Sequence, residues 1–153
     1  METYDFSRAT HYAVSIFLID KQRILLLKQT RSPYWLLPSG HVEDTELPHE
    51  AAVREMLEET KLNIEILENP DEKSRTKIAT PLPNPHHTLM LPCRDKRDYN
   101  MVFTAKVIGG KLKIDSESQE AKWFSKEEII NNPQVGPNTR HHALKILEEN
   151  PSL

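Results

Sequence analysis

Cysteine is almost absent. Cys93 is the only one in 153 residues. One thiol cannot close an internal disulfide, which suits a reducing compartment such as the cytoplasm. Long apolar runs are missing too. The longest, IFLI at 16–19 and ILLL at 24–27, fall far short of the roughly 20 apolar residues a membrane helix needs. The opening METYDFSRAT has no basic start followed by an apolar stretch, so no secretory signal is expected. An excess of basic charge is lacking as well. The chain carries 20 basic and 23 acidic residues, a formal net charge of -3. That removes the basic footprint on which long nucleic-acid binding rests. It leaves open a small anionic ligand held through a bound cation. Repeats and low-complexity tracts are also absent.

What is present is an ordinary globular balance, with 37% hydrophobic and 28% charged residues. The length fits one domain, 1–153, with enough chain for a real core. Residues 11–19 and 23–28 read as strands joined by a turn at Asp20–Gln22. Tyr34–Leu37 reads as a short extended piece ended by Pro38. Residues 62–68, LNIEILE, alternate apolar and polar as a strand does. Five prolines between residues 69 and 97 predict loops there, with an edge strand at Thr88–Leu91. Residues 99–107 return to strand character. Gly109–Gly110 reads as a turn, with Lys111–Ile114 pairing back as a hairpin. Ser125–Glu128 carries a capping-box pattern before Ile129 and Ile130. Ala143, Leu144, Ile146 and Leu147 mark a last helix over 139–149, stopped before Pro151. Strands mixed with three helices predict a layered α/β or α+β domain.

Negative charge is concentrated in one place. Between Gly40 and Leu62 stand six glutamates and Asp44. On a helix over 48–60, Glu55, Glu58 and Glu59 share a face, because i+3 and i+4 neighbours lie together. Val53, Met56, Leu57 and Thr60 are then expected on the opposite, core face. Pro48 suits the first turn, where its missing N–H costs nothing. Like charges at i, i+4 destabilise a helix by roughly 0.2–0.5 kcal/mol per pair. A divalent cation reverses that sign, since hard cations such as Mg²⁺ take carboxylate oxygens. Arg54 stands ready to orient one of the carboxylates, or to pair with Glu50. The plainer reading is a solvated acidic face built of good helix formers.

The wider spacing separates the two readings. The segment resembles the Nudix box, G-x5-E-x7-R-E-U-x-E-E-x-G-U, where U is a bulky aliphatic residue. Gly40, Glu46, Arg54, Glu55, Met56, Glu58, Glu59 and Leu62 fall in place. WLLPS resembles the lead-in to the box, and EAKWFSKEEI resembles the Trp-containing segment before the late helix. The resemblance implies a mixed β-sheet sandwiched between helices, an α/β/α sandwich with the box as loop–helix–loop. It implies Mg²⁺- or Mn²⁺-dependent hydrolysis of a nucleoside diphosphate linked to another moiety. By position, Glu55, Glu58 and Glu59 become metal ligands, joined by Ser39, through its carbonyl, at Gly40. Glu55 is also the implied base, with Arg54 and Glu46 holding the carboxylates in place. Three positions depart from the pattern. Lys61 stands where a glycine ends the box, and is expected to end the helix differently. Ser39 replaces a second glycine, and Leu47 replaces the polar N-cap.

Other residues carry weaker signals. Glu117 and Glu120, just before Trp123, are expected either to add a metal ligand or to stay solvated loop carboxylates. Tyr34 and Trp35 read as base-stacking or core aromatics, and Arg31 as a phosphate contact or a surface cation. His86–His87 and His141–His142 lack zinc-ligand spacing and read as surface residues. His86 and His87 sit where a loop over the substrate is expected. The leading expectation is a pyrophosphohydrolase acting on a small nucleotide or nucleotide conjugate. The alternatives are a Nudix-like module that senses a nucleotide without cleaving it, and a structural domain with an acidic surface.

Overall fold

The computed structural model describes residues 9–93 and 96–153. Residues 1–8, on which most of the reading of METYDFSRAT rests, lie outside the described residues. The first two strands, β1 (Ala9–Asp20) and β2 (Arg23–Gln29), form the hairpin read from the sequence. Its turn residues Lys21 and Gln22 have φ of 50° and 57°. A type I′ hairpin turn needs both central residues at positive φ, and here neither is glycine. Then come β3 (Trp35–Leu36), β4 (Ser39–His41), α1 (Pro48–Thr60) and β5 (Leu62–Ile66). The proline-rich stretch holds one 3-10 turn at Glu72–Ser74 and then β6 (His87–Cys93). The last elements are β7 (Lys96–Gly110), β8 (Ser118–Ser125), α2 (Lys126–Asn131) and α3 (Pro137–Glu149).

The strands form one mixed sheet in the order β3-β2-β1-β7-β5, with β4 on β1, β6 on β7 and β8 on β2. β1 and β7 are its parallel central pair. β7 serves two antiparallel partners in turn, β6 along residues 96–102 and β5 along residues 105–110. Alternation along β1 divides the core. Val14, Ile16 and Leu18 pack with Ala51, Ala52 and Met56 of α1. Phe17 and Ile19 pack on the other face with Ile129, Ala143, Ile146 and Leu147 of α2 and α3. A sheet with helices on both faces is the layered domain the strand and helix pattern predicts and the sandwich the resemblance implies.

Three local expectations change. Gly109 and Gly110 do not turn the chain; they continue β7 and pair with Asn63 and Leu62. Gly110 has φ 88°, and a Cβ there would run into the Lys61 carbonyl. The glycines thus let two backbones approach. Residues 111–114 form no hairpin strand. Lys113 and Asp115 instead donate their N–H groups to the carbonyls of Thr60 and Glu59, at 2.9 and 3.3 Å, and so cover the end of α1. Lys61 ends α1 in the left-handed conformation a glycine would take, φ 61°. Its N–H bonds Leu57 O at 3.0 Å and its Nζ bonds Glu58 O at 3.0 Å. Those carbonyl contacts offset part of the roughly 1 kcal/mol that a Cβ costs in this region.

Candidate active site

α1 enters through Pro48, and Glu50 closes its first turn by accepting the Leu47 N–H at 2.8 Å. Only this half of a capping box is made, since Leu47 offers the first-turn N–H groups no side-chain acceptor, and Glu50 is not a partner of Arg54 as the sequence allowed. Arg54 reaches back along the loop. Its Nε and Nη2 grip both oxygens of Glu46, at 3.0 and 2.6 Å. Nη2 also bonds the His41 carbonyl at 2.9 Å. Nη1 bonds Glu55 Oε1 at 2.9 Å and Glu58 Oε2 at 3.2 Å. The planar guanidinium fork is suited to such a fan of carboxylates, and a lysine is not. The guanidinium holds the Glu46 carboxyl below its usual range.

The glutamates divide differently from a simple helical wheel. Glu59 is buried at 6% exposure, as are Met56 and Thr60, while Val53 and Leu57 are exposed at 39% and 44%. The helix is docked along its 52–56–59 edge, so the sheet meets carboxylates where the wheel predicts Val53 and Leu57. Glu55 is 14% exposed and Glu58 is 59% exposed at their side chains. Glu59 Oε2 accepts the Ser39 N–H at 3.1 Å. Gly40 lies against Glu55: a Cβ on Gly40 would overlap the Glu55 carboxylate. A side chain at position 40 would have to displace the Glu55 carboxylate from the place where Arg54 holds it.

Burial pushes the Glu59 carboxyl up to about 8; the Ser39 N–H opposes this, and the charges of Glu55, Asp115 and Glu117 add to it. Burial also raises Glu55, against the pull of Arg54. Two inward carboxylates whose ionisation is opposed by burial, with two more acidic groups beside them, form an all-oxygen set, and the Arg54 cation that meets Glu55 is already shared with Glu46 and Glu58. That donor chemistry fits a hard divalent ion. Glu58 fits less directly, since its carboxylate is engaged by Arg54.

Glu117 precedes β8 and acts on Glu59 through its charge. Asp115, which no motif in the sequence marks, does the same from the segment covering α1; only the fold brings it there. Glu120 lies within β8 opposite Lys28, not in a loop. Trp35 is buried at 7% exposure, its ring 5.0 Å from that of Phe124, so it is core. Tyr34 and Arg31 are exposed. The two histidine pairs, read as separate surface residues, come together. His86 and His87 approach through their Nδ1 atoms at 2.8 Å, and His87 stacks on His142 at 3.7 Å between centroids. Burial, and the cationic tendency of His142, His86, His141 and Lys145, push His87 down to about 4. It is a neutral imidazole, set in β6 rather than in a loop.

His87 also lines a cavity of about 230 Å³. Ala13, Ser15 and Phe17 of β1 form its floor, on the sheet face away from α1. Ser39, Gly40 and His41 of β4 form its rim. The same short strand therefore touches the glutamates on one side and the cavity on the other. Asn100 on the floor donates Nδ2 to Ser15 Oγ at 3.0 Å, while its Oδ1 is buried with no partner among the described residues.

Known proteins show the same organisation. The family model described as NUDIX domain matches residues 9–145. An ADP-ribose pyrophosphatase of Methanocaldococcus jannaschii is 36% identical over 121 residues, 74% of this chain and 62% of that protein. An RNA pyrophosphohydrolase of Cereibacter sphaeroides is 28% identical over 131 residues, 84% of this chain and 67% of that protein. A Bacillus subtilis relative, 32% identical, is matched over 66% of its length. The chain thus spans less than two thirds of the M. jannaschii and B. subtilis relatives. The crystal structure of a NUDIX-family hydrolase from Clostridium perfringens superposes with a TM-score of 0.83 at 28% identity, covering 91% of this chain and 97% of that one.

Proposed function

The chain belongs to the Nudix family, and from that premise we propose that it is a pyrophosphohydrolase forming a single domain. Its substrate is a nucleoside diphosphate linked to another moiety, small enough for the cavity beside β4. Water attacks a phosphorus of the diphosphate, and the bridging oxygen leaves. The observation that carries this reading is the Arg54 fan, which binds Glu46, Glu55, Glu58 and the His41 carbonyl into one unit.

Each residue then has a role. Glu55, Glu58 and Glu59, with Ser39 through its carbonyl at Gly40, would hold Mg²⁺ or Mn²⁺. Such an ion neutralises phosphate oxygens and lowers the pKa of water. Glu55 accepts the proton of the attacking water. Burial raises its pKa, which makes it a stronger base than an ordinary carboxylate. Arg54 and Glu46 are positioning residues that fix where the Glu55 oxygens lie. A diphosphate repels unpaired carboxylates, so substrate and metal are expected to bind together. The relatives named for ADP-ribose and RNA pyrophosphatase activities indicate the class of bond, a phosphoanhydride.

The test is a panel of nucleotides and nucleotide conjugates, assayed for phosphate, pyrophosphate and nucleoside monophosphate with Mg²⁺ and with Mn²⁺. The proposal expects metal-dependent cleavage of a few members, reduced at least about 100-fold in Glu58→Gln and Glu59→Gln, each folded by circular dichroism. Nucleotide binding without turnover would replace the hydrolase by a sensing module.

A further inference from the structure

The acidic helix is not the place where metal-ligating atoms converge most closely. Among the described residues, the one set of three such side chains whose ligand atoms all lie within 4.8 Å is His11, His41 and Asp98. We propose that these three residues form a second metal site, separate from the glutamates, for a borderline first-row divalent cation such as Zn²⁺.

The sheet builds the set. His11 of β1 stands directly opposite Asp98 of β7 in the parallel pair. His41 of β4 stands opposite Ala13, two residues along β1 from His11. His11 and Asp98 are directly opposite cross-strand neighbours, and His41 stands on the diagonal from His11, a span of roughly 7–8 Å that long or aromatic side chains bridge. His11 shares its face with Ala13 and Ser15, and Asp98 shares its face with Asn100, so the set continues the cavity floor. His41 and Asp98 themselves line that cavity. The sequence hides this, since the ligands are 30 and 57 residues apart along the chain.

An ordinary ion pair does not account for the contact between His41 and Asp98. The Nε2–Oδ1 separation is 3.5 Å, longer than the roughly 2.7–2.9 Å of a charge-assisted hydrogen bond. Asp98 Oδ1 is buried and has no hydrogen-bond partner among the described residues. Ligands about 2.0–2.2 Å from a tetrahedral zinc stand about 3.4 Å from one another. The His41–Asp98 separation already has that span. The rings of His11 and His41 meet edge to face, 5.4 Å between centroids at 89°, so small side-chain rotations bring the third ligand in.

The donor set also selects the ion. Two imidazole nitrogens and one carboxylate suit Zn²⁺ or Co²⁺, whereas Mg²⁺ keeps to oxygens. Three protein ligands leave a coordination position open, as in sites that bind water or a ligand oxygen rather than purely structural ones. A group in the cavity lies within reach of that position.

Co²⁺ reports its own ligand field, so the test needs neither nucleotide nor turnover. Untagged, chelator-treated protein is titrated with Co²⁺ in excess Mg²⁺, which occupies the glutamates. The expected result is one equivalent of bound Co²⁺ with visible d–d bands, displaced by Zn²⁺. His41→Gln and Asp98→Asn should each weaken it at least about tenfold. Both are mild replacements, His41 being 61% exposed, and thermal melting confirms that they fold. Glu59→Gln and His142→Gln should leave the titration unchanged. Absence of the bands would overturn the proposal. So would Co²⁺ binding that survives His41→Gln and is lost in His142→Gln or Glu59→Gln.

Discussion

At the scale of single residues, Glu59 ties stability to pH. Its carboxyl is raised to about 8 in the folded chain, against an unfolded value of roughly 4.3. The folded state therefore prefers the protonated form. Its contribution is fully present below the unfolded value and is lost as pH rises through the folded one. In chelator, the protein should melt lower at pH 9 than at pH 5.5 on this account. Glu59→Gln, which cannot ionise, should raise the melting temperature at pH 9 more than at pH 5.5. Equal gains at both pH values would show that burial of the charge is not the cause. Saturating Mg²⁺ should narrow the difference in the native chain, because an ion bound only to the folded state stabilises it. Lys61 makes a second case. Lys61→Gly relieves a Cβ at φ 61° but loses the Nζ bond to Glu58 O. Urea melting should show a net gain of up to about 1 kcal/mol; a loss would mean that the Nζ contact outweighs the strain. Glu55, Glu58 and Glu59 were legible in the sequence because they lie at i, i+3 and i+4 on one helix, where spacing is local. Asp115, His11 and Asp98 were not, because strands far apart in the chain bring them to their places.

At the scale of elements, what was readable follows from local chemistry. The capping box of α2 formed as its letters indicate, with Ser125 Oγ accepting the Glu128 N–H at 3.2 Å and Glu128 accepting the Ser125 N–H at 2.9 Å. Ser125→Ala should cost about 1 kcal/mol in a urea melt. An unchanged midpoint would mean that packing of Ile129 alone holds this short helix. What was misread follows from tertiary contact. Helical periodicity gives the angle between Glu55 and Glu59 but not which edge docks. The sheet chose the edge through Ala52 and Met56, leaving Val53 and Leu57 outside. A Gly-Gly pair carries the signature of a turn, yet here β5 needed a close backbone neighbour at the end of α1. That need was created by Lys61 and Leu62, nearly fifty residues upstream.

At the scale of the whole molecule, two chemistries lie on opposite faces of one sheet. The carboxylates stand on α1, which packs on one face, and the cavity lies on the other face, beside α3. They meet at β4, where Gly40 lies against Glu55 and lines the cavity rim at once. In the proposed reaction, the diphosphate would sit at that junction and the attached group would lie along the sheet. Binding and turnover should then separate under mutation. Leu89 of β6 lines the cavity without touching the carboxylates and is only partly buried. Leu89→Trp should narrow the cavity and raise KM several-fold with kcat little changed. Arg54→Lys should do the reverse. Lysine keeps the charge but cannot serve Glu46, Glu55, Glu58 and the His41 carbonyl together. Loss of that fan loosens the base while the cavity stays intact, so kcat should fall about 100-fold at nearly constant KM. Steady-state kinetics on whichever nucleotide the panel selects decides the matter. If both substitutions acted on KM alone, the Arg54 unit would be binding substrate rather than setting the base, and Glu55 would lose its assigned role.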